Sequence, residues 1–259
     1  MDSAVEMKEP LSKNRIKWLQ SLTKKKVRDE EGLFFAEGVK LVDDLLPAFE
    51  CHSIYATEDY FSSRGKVAAL EGGYVVTKEE LKRLSAQCAP QSVFAVFKKR
   101  DAGFNPVVLD GKLSLALDTV QDPGNLGTII RIADWFGIEH VLCSKETVEV
   151  YNPKVVQATM GALARVSVHY VDLVEVLKET SLPVYGTFLE GEDIYGEALS
   201  AEGVIVMGNE GNGVSEEVKK LVSRKLYIPN FPKGRETSES LNVAVATAIT
   251  CAEFRRRTY

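Results

Sequence analysis

The chain has 259 residues, 45% of them apolar, and a formal net charge of −5 at pH 7. This length allows two modest domains or one large one, and the apolar content is enough for a core that needs no disulfides. The acidic total argues against a general nucleic-acid binder, and no apolar run approaches the roughly 18 residues that cross a bilayer. Because the polar N-terminus is also unlike a signal peptide, we expect a cytoplasmic protein without a membrane partner.

The charge is distributed unevenly along the chain. Residues 1–28 contain eight Lys and Arg against three acids, a local charge of +5, so the remainder carries −10. A basic end can steer a protein toward RNA phosphates, although charge alone is equally compatible with a solvated N-terminus. The residues that we expect to contact RNA are Lys13, Arg15, Lys17, Lys24, Lys25 and Lys26.

The four cysteines, Cys51, Cys88, Cys143 and Cys251, are far apart and form no C-x-x-C pair. That spacing fits neither a zinc site nor a small disulfide scaffold, so we expect reduced thiols. The three histidines are isolated from one another in the sequence, and we expect no metal site.

The first hundred residues predict a small α/β domain that precedes a polar linker. The helices are predicted over 13–23, 39–46 and 78–85, and the strands over 32–36, 53–56, 74–77 and 93–97. The stretch around residues 98–106 has the composition of a linker. We therefore expect domains at 1–103 and 112–259, joined by a linker at 104–111.

After residue 112, apolar runs of strand length alternate with segments of helical period. Such alternation is typical of a mostly parallel sheet covered by helices on both faces. The strands are predicted over 113–117, 140–143, 166–170, 183–188, 203–207 and 226–228, and the helices over 126–136, 153–163, 173–179, 214–222 and 240–257.

Three segments of this region carry residues suited to chemistry. The first, residues 117–131, is a strand that ends in a turn rich in Asp, Pro, Gly and Asn and then starts a helix. In a parallel sheet such a turn lies at the carboxyl edge of the strands, where ligands bind. Arg131 lies off the apolar stripe of the helix, and a cation near a helix N-terminus is unfavourable unless an anion is close. A surface salt bridge is the alternative interpretation.

The second segment, residues 204–215, places Gly208, Gly211 and Gly213 around Glu210 after a buried strand. Glycines let a ligand approach the backbone closely, although a tight structural turn would need them too. The spacing matches neither a Walker A loop nor the G-x-G-x-x-G pattern.

The third segment, residues 227–249, ends in a helix rich in Ala and Val, which favours close packing against other backbones. Ser240 and Asn242 stand at the entrance of this helix, either as a cap or as part of a binding site. Each segment alone is weak evidence, so the order of the three carries the interpretation.

The three segments contain, in this order, N-L-G followed by Arg131 at 125–131, G-N-E-G-N-G-V-S at 208–215, and I-P followed by S-L-N-V-A-V-A at 228–246. Together they resemble the motifs of the SpoU (TrmH) family of RNA ribose methyltransferases, in the SPOUT superfamily. Residues 14–17 and 34–38 resemble, less specifically, the family's RNA-binding extension, a small α/β domain similar to certain ribosomal proteins. The resemblance implies a C-terminal α/β domain with a trefoil knot and a homodimer. It also implies S-adenosyl-L-methionine as methyl donor and S-adenosyl-L-homocysteine as product.

The resemblance assigns individual residues to the reaction. A ribose 2′-hydroxyl is a poor nucleophile near neutral pH and needs a base or a field that favours its alkoxide. Arg131 matches the arginine of the family's first motif, and a guanidinium can hold the adjacent phosphate and orient the hydroxyl, which is the role we prefer for it. The alternative is that Arg131 removes the hydroxyl proton itself and relays its own proton to the phosphate. The other reacting-site residues implied are Asn125, Glu210, Ser240 and Asn242. The implied donor pocket consists of Thr187, Met207, Gly208, Asn209, Gly211, Ile228, Pro229, Leu241 and Asn242.

The chain departs from the family pattern in the loop 230–239, which is a few residues longer than usual. Lys233 and Arg235 in this loop could reach RNA phosphates, or the loop could form a surface bulge. Ala244 stands where Ser is common in the family, a minor substitution.

The RNA substrate is less defined than the reaction. The large N-terminal domain favours ribosomal RNA of the 23S type over transfer RNA, by analogy alone, and we do not expect DNA as a partner. The alternatives are a transfer RNA ribose methyltransferase, a knotted enzyme that methylates a base nitrogen, and a non-catalytic RNA-binding or ribosome-assembly factor. The intact Arg131, Glu210 and Asn242 argue against the last of these.

Overall fold

The computed structural model of the chain describes residues 10–64, 72–85, 91–100, 103–232, 235 and 240–257. These residues form two compact units. One unit comprises the described residues of Met1–Asp101 together with Tyr151–Ala164, and the other those of Ala102–Val150 and Arg165–Tyr259. Within the described residues, none of the helices has the length and apolar character needed to cross a membrane.

The first unit is built on a four-stranded sheet in the order β1-β4-β2-β3, in which β4 is antiparallel to β1 and β2, and β3 is parallel to β2. Its core includes the buried side chains of Leu19, Phe35, Tyr55 and Phe94. The strands are β1 (Leu33–Glu37), β2 (Cys51–Ala56), β3 (Gly73–Val75) and β4 (Val93–Lys98), and the helices before residue 100 are α1 (Lys13–Ser21), α2 (Lys25–Glu31), α3 (Val39–Leu45), α4 (Glu58–Ser62) and α5 (Lys78–Leu84).

Local sequence explains most of these elements. The Ser12 hydroxyl caps α1 by accepting from the Arg15 backbone N–H, and Thr77 and Glu80 form a reciprocal capping box at the start of α5. Gly32, with φ of 66°, ends α2 in the left-handed conformation. The strands and helices predicted for this region are confirmed within a few residues, and the structure adds α2 and α4.

The segment Tyr151–Ala164 packs in the first unit, although the sequence places it within the range 112–259. Its helix α7 (Pro153–Ala158) is shorter than the predicted 153–163. The prediction is wrong here because Met160 and Gly161 have φ of 51° and 94°, which an α-helix cannot accommodate. The Tyr151 ring lies 4.6 Å from the Phe34 ring, centroid to centroid. The domain boundary itself stays a prediction.

The second unit contains a six-stranded sheet in the order β10-β8-β9-β5-β6-β7, and every pair of neighbours is parallel. This arrangement confirms the predicted parallel α/β class, while the threading of the chain into a knot stays an expectation from the resemblance. The strands are β5 (Leu113–Leu117), β6 (His140–Cys143), β7 (Ser167–Tyr170), β8 (Val184–Asp193), β9 (Gly203–Met207) and β10 (Arg224–Tyr227).

Polar side chains cap the two longest helices of the second unit. Asp122 accepts a hydrogen bond from the Asn125 backbone N–H, and Asn242 accepts from the backbone N–H groups of Ala244 and Val245. Asn242 is therefore a helix cap, one of the two roles predicted for it. The helices are α6 (Pro123–Trp135), α8 (Leu173–Glu179), α9 (Glu216–Lys219) and α10 (Val243–Arg256).

The basic run at the end of α10 has structural roles. Arg255 donates from Nε to the Phe136 carbonyl at 2.7 Å, which satisfies the C-terminus of α6. Arg256 and Arg257 both pair with the buried Glu253 carboxylate, at 2.8 and 2.9 Å. The cysteines that the structure describes, Cys51, Cys143 and Cys251, are free thiols, whereas Cys88 lies outside the described residues.

Candidate active site

A cavity of about 500 Å³ lies in the second unit, beside the carboxyl ends of β9 and β10. Such a volume is within the range of small-molecule sites. Its walls combine the backbone of a glycine-rich loop with apolar side chains and a few charged ones. The lining residues are Thr187–Glu190, Met207–Val214, Glu216, Lys219, Lys225, Tyr227, Ile228, Ser240, Leu241, Val243 and Ala246.

The loop after β9 is held in a closed turn. The backbone groups of Asn209 and Gly213 exchange hydrogen bonds of 2.9 and 3.0 Å. The Asn209 carboxamide oxygen accepts from the backbone N–H groups of Gly211 and Asn212, both at 2.9 Å. A Cβ atom on Gly208 would lie 2.3 Å from the Gly213 carbonyl carbon, so glycine is required where the two ends of the turn meet.

The turn after β5 anchors this loop. The buried Asp118 carboxylate accepts a hydrogen bond of 2.7 Å from the Ser215 backbone N–H. Thr119, whose φ is 61°, accepts at its carbonyl from the Asn209 side chain at 2.8 Å. Asp118 and Thr119 lie in the first sequence motif, but the sequence predicts no role for them. Each contact joins residues about 90 or more positions apart in the chain, which local residue spacing does not reveal.

One side chain joins all three sequence motifs. The Asn125 amide nitrogen donates to the Glu210 carboxylate at 2.8 Å. The Asn125 amide oxygen accepts from the Asn242 side chain at 2.9 Å. Glu210 lines the cavity, whereas Asn125 is partly buried and does not line it. The contacts fix the orientation of all three polar groups beside the cavity.

The far wall of the cavity comes from an irregular stretch of β8. Lys225 pairs with Gly186, but the next residue, Leu226, pairs with Glu192, so residues 187–191 bulge out of the ladder. The Thr187 hydroxyl in this bulge approaches the Met207 sulfur at 3.8 Å. Phe188 lies near two cations, with the Lys219 and Lys225 nitrogens 5.8 and 5.6 Å from its ring centroid.

The structure brings most of the expected donor-pocket residues together. Of these, only Pro229 and Asn242 are absent from the cavity lining, and Glu210 and Ser240 line it as well. Arg131 is exposed on α6 and has no hydrogen bond or ion pair within the described residues, so a surface salt bridge does not account for it. Lys233 and most of the loop 230–239 lie outside the described residues, although Arg235 is described and exposed.

The basic residues expected to contact RNA belong to the first unit. Five of the six are exposed, whereas Arg15 is partly buried. Lys25 and Lys26 pair with acids one turn later in α2, Asp29 at 3.2 Å and Glu30 at 3.8 Å. These exposed pairs leave the cations accessible to a phosphate.

Comparison with known proteins identifies both parts of the chain. Residues 112–252 match the SpoU rRNA methylase family, and residues 13–95 match the MRM3-like substrate-binding domain. The chain is 30% identical over 256 residues to the 23S rRNA (guanosine(2553)-2′-O)-methyltransferase RlmP of Bacillus subtilis, covering 95% of this chain and 98% of the relative.

Solved structures agree over nearly the whole length. A TrmH-family protein of Porphyromonas gingivalis superposes with a TM-score of 0.86 and 42% identity, covering 96% of this chain and 100% of the other. An AdoMet-bound rRNA methyltransferase of Sinorhizobium meliloti gives 0.86 and 30% identity, covering 98% and 99%. The match to the SpoU rRNA methylase family spans more than half of the chain, and the three motifs lie beside one cavity. The chain therefore belongs to the SpoU family of RNA methyltransferases.

Proposed function

We propose that this protein methylates a ribose 2′-hydroxyl of ribosomal RNA, with S-adenosyl-L-methionine as the donor. The observation that carries the proposal is Asn125, which bonds to Glu210 on one side and Asn242 on the other. The B. subtilis relative, similar over 95% of this chain, is named as a 23S rRNA 2′-O-methyltransferase. Its name supports ribose rather than a base nitrogen as the acceptor.

The cavity fits the donor in size and in chemistry. Its volume of about 500 Å³ suits a nucleoside-sized ligand, and position 208 has no room for any side chain. Apolar walls from Met207 and Ile228 can enclose a ring, while loop backbone groups can bind its polar edges. When bound, S-adenosyl-L-methionine supplies an electrophilic methyl group on a sulfonium.

The protein's own residues then position the acceptor. Arg131 is an exposed guanidinium without a partner in the described structure, so it can bind a backbone phosphate with two hydrogen bonds. Holding the phosphate fixes the adjacent ribose, which lowers the entropic barrier to reaction. Glu210, oriented by Asn125, can accept a hydrogen bond from the 2′-hydroxyl and raise its nucleophilicity.

A methyl-transfer assay with separated RNAs tests the proposal. The protein is incubated with methyl-labelled S-adenosyl-L-methionine and either unmodified ribosomal RNA or unmodified transfer RNA, and the RNA is digested to nucleosides. We expect labelled 2′-O-methyl nucleosides from ribosomal RNA. Label on a base nitrogen would overturn the acceptor, and label only in transfer RNA would overturn the substrate.

A homodimer is part of the same proposal. Trp135 is 84% exposed on α6 and lies one turn from Arg131, so the two project from one face of the helix. Tryptophan is among the residues enriched at protein interfaces, so this exposed side chain is the candidate contact with a second copy. Analytical ultracentrifugation should give about twice the monomer mass of 28.6 kDa, and Trp135→Glu should lower it to the monomer value. A monomeric wild-type protein would contradict this.

The free thiols of Cys51, Cys143 and Cys251 agree with the cytoplasm as its location.

A further inference from the structure

The first unit contains an arginine set within an aromatic cluster. The Arg15 guanidinium carbon lies 4.6 Å from the Trp18 ring centroid and 5.6 and 5.7 Å from those of Tyr74 and Tyr55. Its Nε donates a hydrogen bond of 2.6 Å to the Tyr55 hydroxyl. Tyr55 and Tyr74 are themselves stacked, 4.9 Å apart and 8° from parallel. The cluster therefore fixes the plane and the position of the guanidinium.

Only part of this arginine is used by the fold. Tyr55 is fully buried and its hydroxyl needs a partner, which the Nε group supplies. The two terminal nitrogens, Nη1 and Nη2, make no hydrogen bond to a described residue, and Arg15 and Trp18 are partly exposed. An oriented guanidinium with a free edge is prepared for an anion with two acceptor oxygens.

A further aromatic ring stands beside the cluster, and its helix carries two more cations. Lys13 and Lys17 are exposed on the same helix and form no ion pair with a described residue, but at two positions from Arg15 they project from another side of the helix. The exposed His52 ring lies 5.7 Å from the Trp18 ring, which extends the aromatic surface beyond the arginine. An oriented cation beside accessible rings is the combination that binds unpaired nucleotides, through phosphate contact and base stacking.

We infer that the Arg15–Trp18–His52 cluster binds an unpaired nucleotide of the substrate RNA, with its phosphate on Arg15 and its base against the rings. The inference rests on the proposed function for the identity of the polymer. A base in a continuous A-form duplex is stacked between its neighbours and is not available to a ring. The cluster should therefore select single-stranded or bulged RNA over fully paired RNA.

Tryptophan fluorescence of the full chain tests the inference, because the sequence contains only two tryptophans, Trp18 and Trp135. The Trp135→Phe variant leaves Trp18 as the sole reporter. Titration with a single-stranded 12-nucleotide RNA should quench its emission, and a blunt duplex of the same length should not. Binding without quenching, or equal quenching by the duplex, would overturn the inference.

Substitutions separate stacking from folding. Trp18→Ala should weaken binding of the single-stranded RNA by between about 5-fold and about 150-fold, the range for loss of one stacked base. Trp18→Phe keeps a ring and the packing against the core, so it should retain most of the affinity. Arg15→Gln should weaken binding and lower the dependence on salt by about one counterion. Unchanged affinity in Trp18→Ala or in Arg15→Gln would overturn the inference.

A matched control exists in the same unit. Arg64 also lies 4.6 Å from a ring centroid, that of Tyr60, but Asp43 neutralises it with contacts of 2.8 to 3.0 Å. Arg64→Gln should leave RNA affinity unchanged, and a loss equal to that of Arg15→Gln would count against a specific site.

Methyl transfer with no Trp18 response would refute this inference alone. A Trp18 response to RNA without methyl transfer would refute the proposed function and leave the binding site standing.

Discussion

The amide side chains of Asn125 and Asn242 are joined by a hydrogen bond of 2.9 Å, although 117 positions separate them in the chain. Asn242 also caps α10 with its carboxamide oxygen, so one residue both starts the helix and orients its neighbour. Because the amide nitrogen of Asn125 also donates to Glu210, which lines the cavity, the two asparagines together orient this carboxylate.

Asn125→Ala should lower kcat by about 10- to 100-fold, because it removes two hydrogen bonds, one of them to a carboxylate. Asn125→Asp should be at least as damaging, since it places a second negative charge beside Glu210. Steady-state assays of methyl transfer measure both. Thr128→Ala, an exposed change one turn further along α6, is the control and should remain near wild type. Normal turnover by Asn125→Ala would refute a positioning role.

Arg131→Ala should lower methyl transfer by about 100- to 1,000-fold while donor affinity stays unchanged, because Arg131 does not line the cavity. Arg131→Lys keeps the charge but loses the planar fork, and an intermediate rate is expected. Titration calorimetry with S-adenosyl-L-methionine measures the affinity. Arg165→Ala is the matched control. It also removes an exposed arginine, one that pairs with Asp134, and Asp134 lies on the same helix as Arg131. Near-normal turnover by Arg131→Ala would exclude it from the reaction.

Gly208→Ala should weaken donor binding by more than tenfold. Its Cβ would lie 2.3 Å from the Gly213 carbonyl carbon and 2.4 Å from the Val214 nitrogen, so the loop must move. Such overpacking costs about 1–3 kcal/mol of stability, and thermal unfolding should occur several degrees lower. Gly211→Ala tests the loop without the collision, since its Cβ would meet only the Asn209 oxygen at 3.6 Å. Equal effects of the two changes would disprove the steric explanation.

The sequence pattern predicts the parallel sheet, and the family resemblance implies most residues of the cavity, but neither predicts the hydrogen bonds that join the three motifs. Apolar runs predict β5, β6 and β9 with the same bounds that the structure has, because buried parallel strands are continuously apolar. The predicted strand 183–188 stops short of the observed β8, which continues through polar residues to Asp193. That extension depends on pairing with β10, a contact between distant segments, so the sequence pattern does not reveal that Phe188 and Glu190 line the cavity.

Helix α2 is not predicted from the sequence, for a different reason. Its sequence, K-K-V-R-D-E-E, has a single aliphatic residue, so hydrophobic periodicity cannot detect it. The inward face is completed by Arg28, which is 2% exposed and donates to the carbonyls of Leu22 and Thr23 at the end of α1. Sequence reasoning assigns a lysine- and arginine-rich run to solvent, and here one arginine of the run is a buried helix cap.

Thermal stability should fall as the pH drops below about 6.5, because two histidines of the second unit are held neutral. The His140 Nδ1 and His169 Nε2 atoms lie 3.2 Å apart. Burial, and then the charge of Lys112, lowers the pKa of His140, and burial, and then His140 itself, lowers the pKa of His169. The nearby Glu139 acts in the opposite direction on His140.

The stability of the protein depends on pH because the folded and unfolded chains bind different numbers of protons. Between the lowered pKa values and about 6.5 the unfolded chain binds protons that the folded chain does not, so stability is complete above that window and is lost through it. Scanning calorimetry from pH 8 to pH 5 should give a falling Tm for the wild type. His169→Leu should flatten the curve of Tm against pH, because it removes the more buried histidine of the pair. The control is His52→Gln. Burial is also the largest cause that lowers the pKa of His52, but this side chain is exposed, so its removal should flatten the curve less. If His169→Leu and the wild type lose Tm in parallel, the pair is not the source of the acid sensitivity.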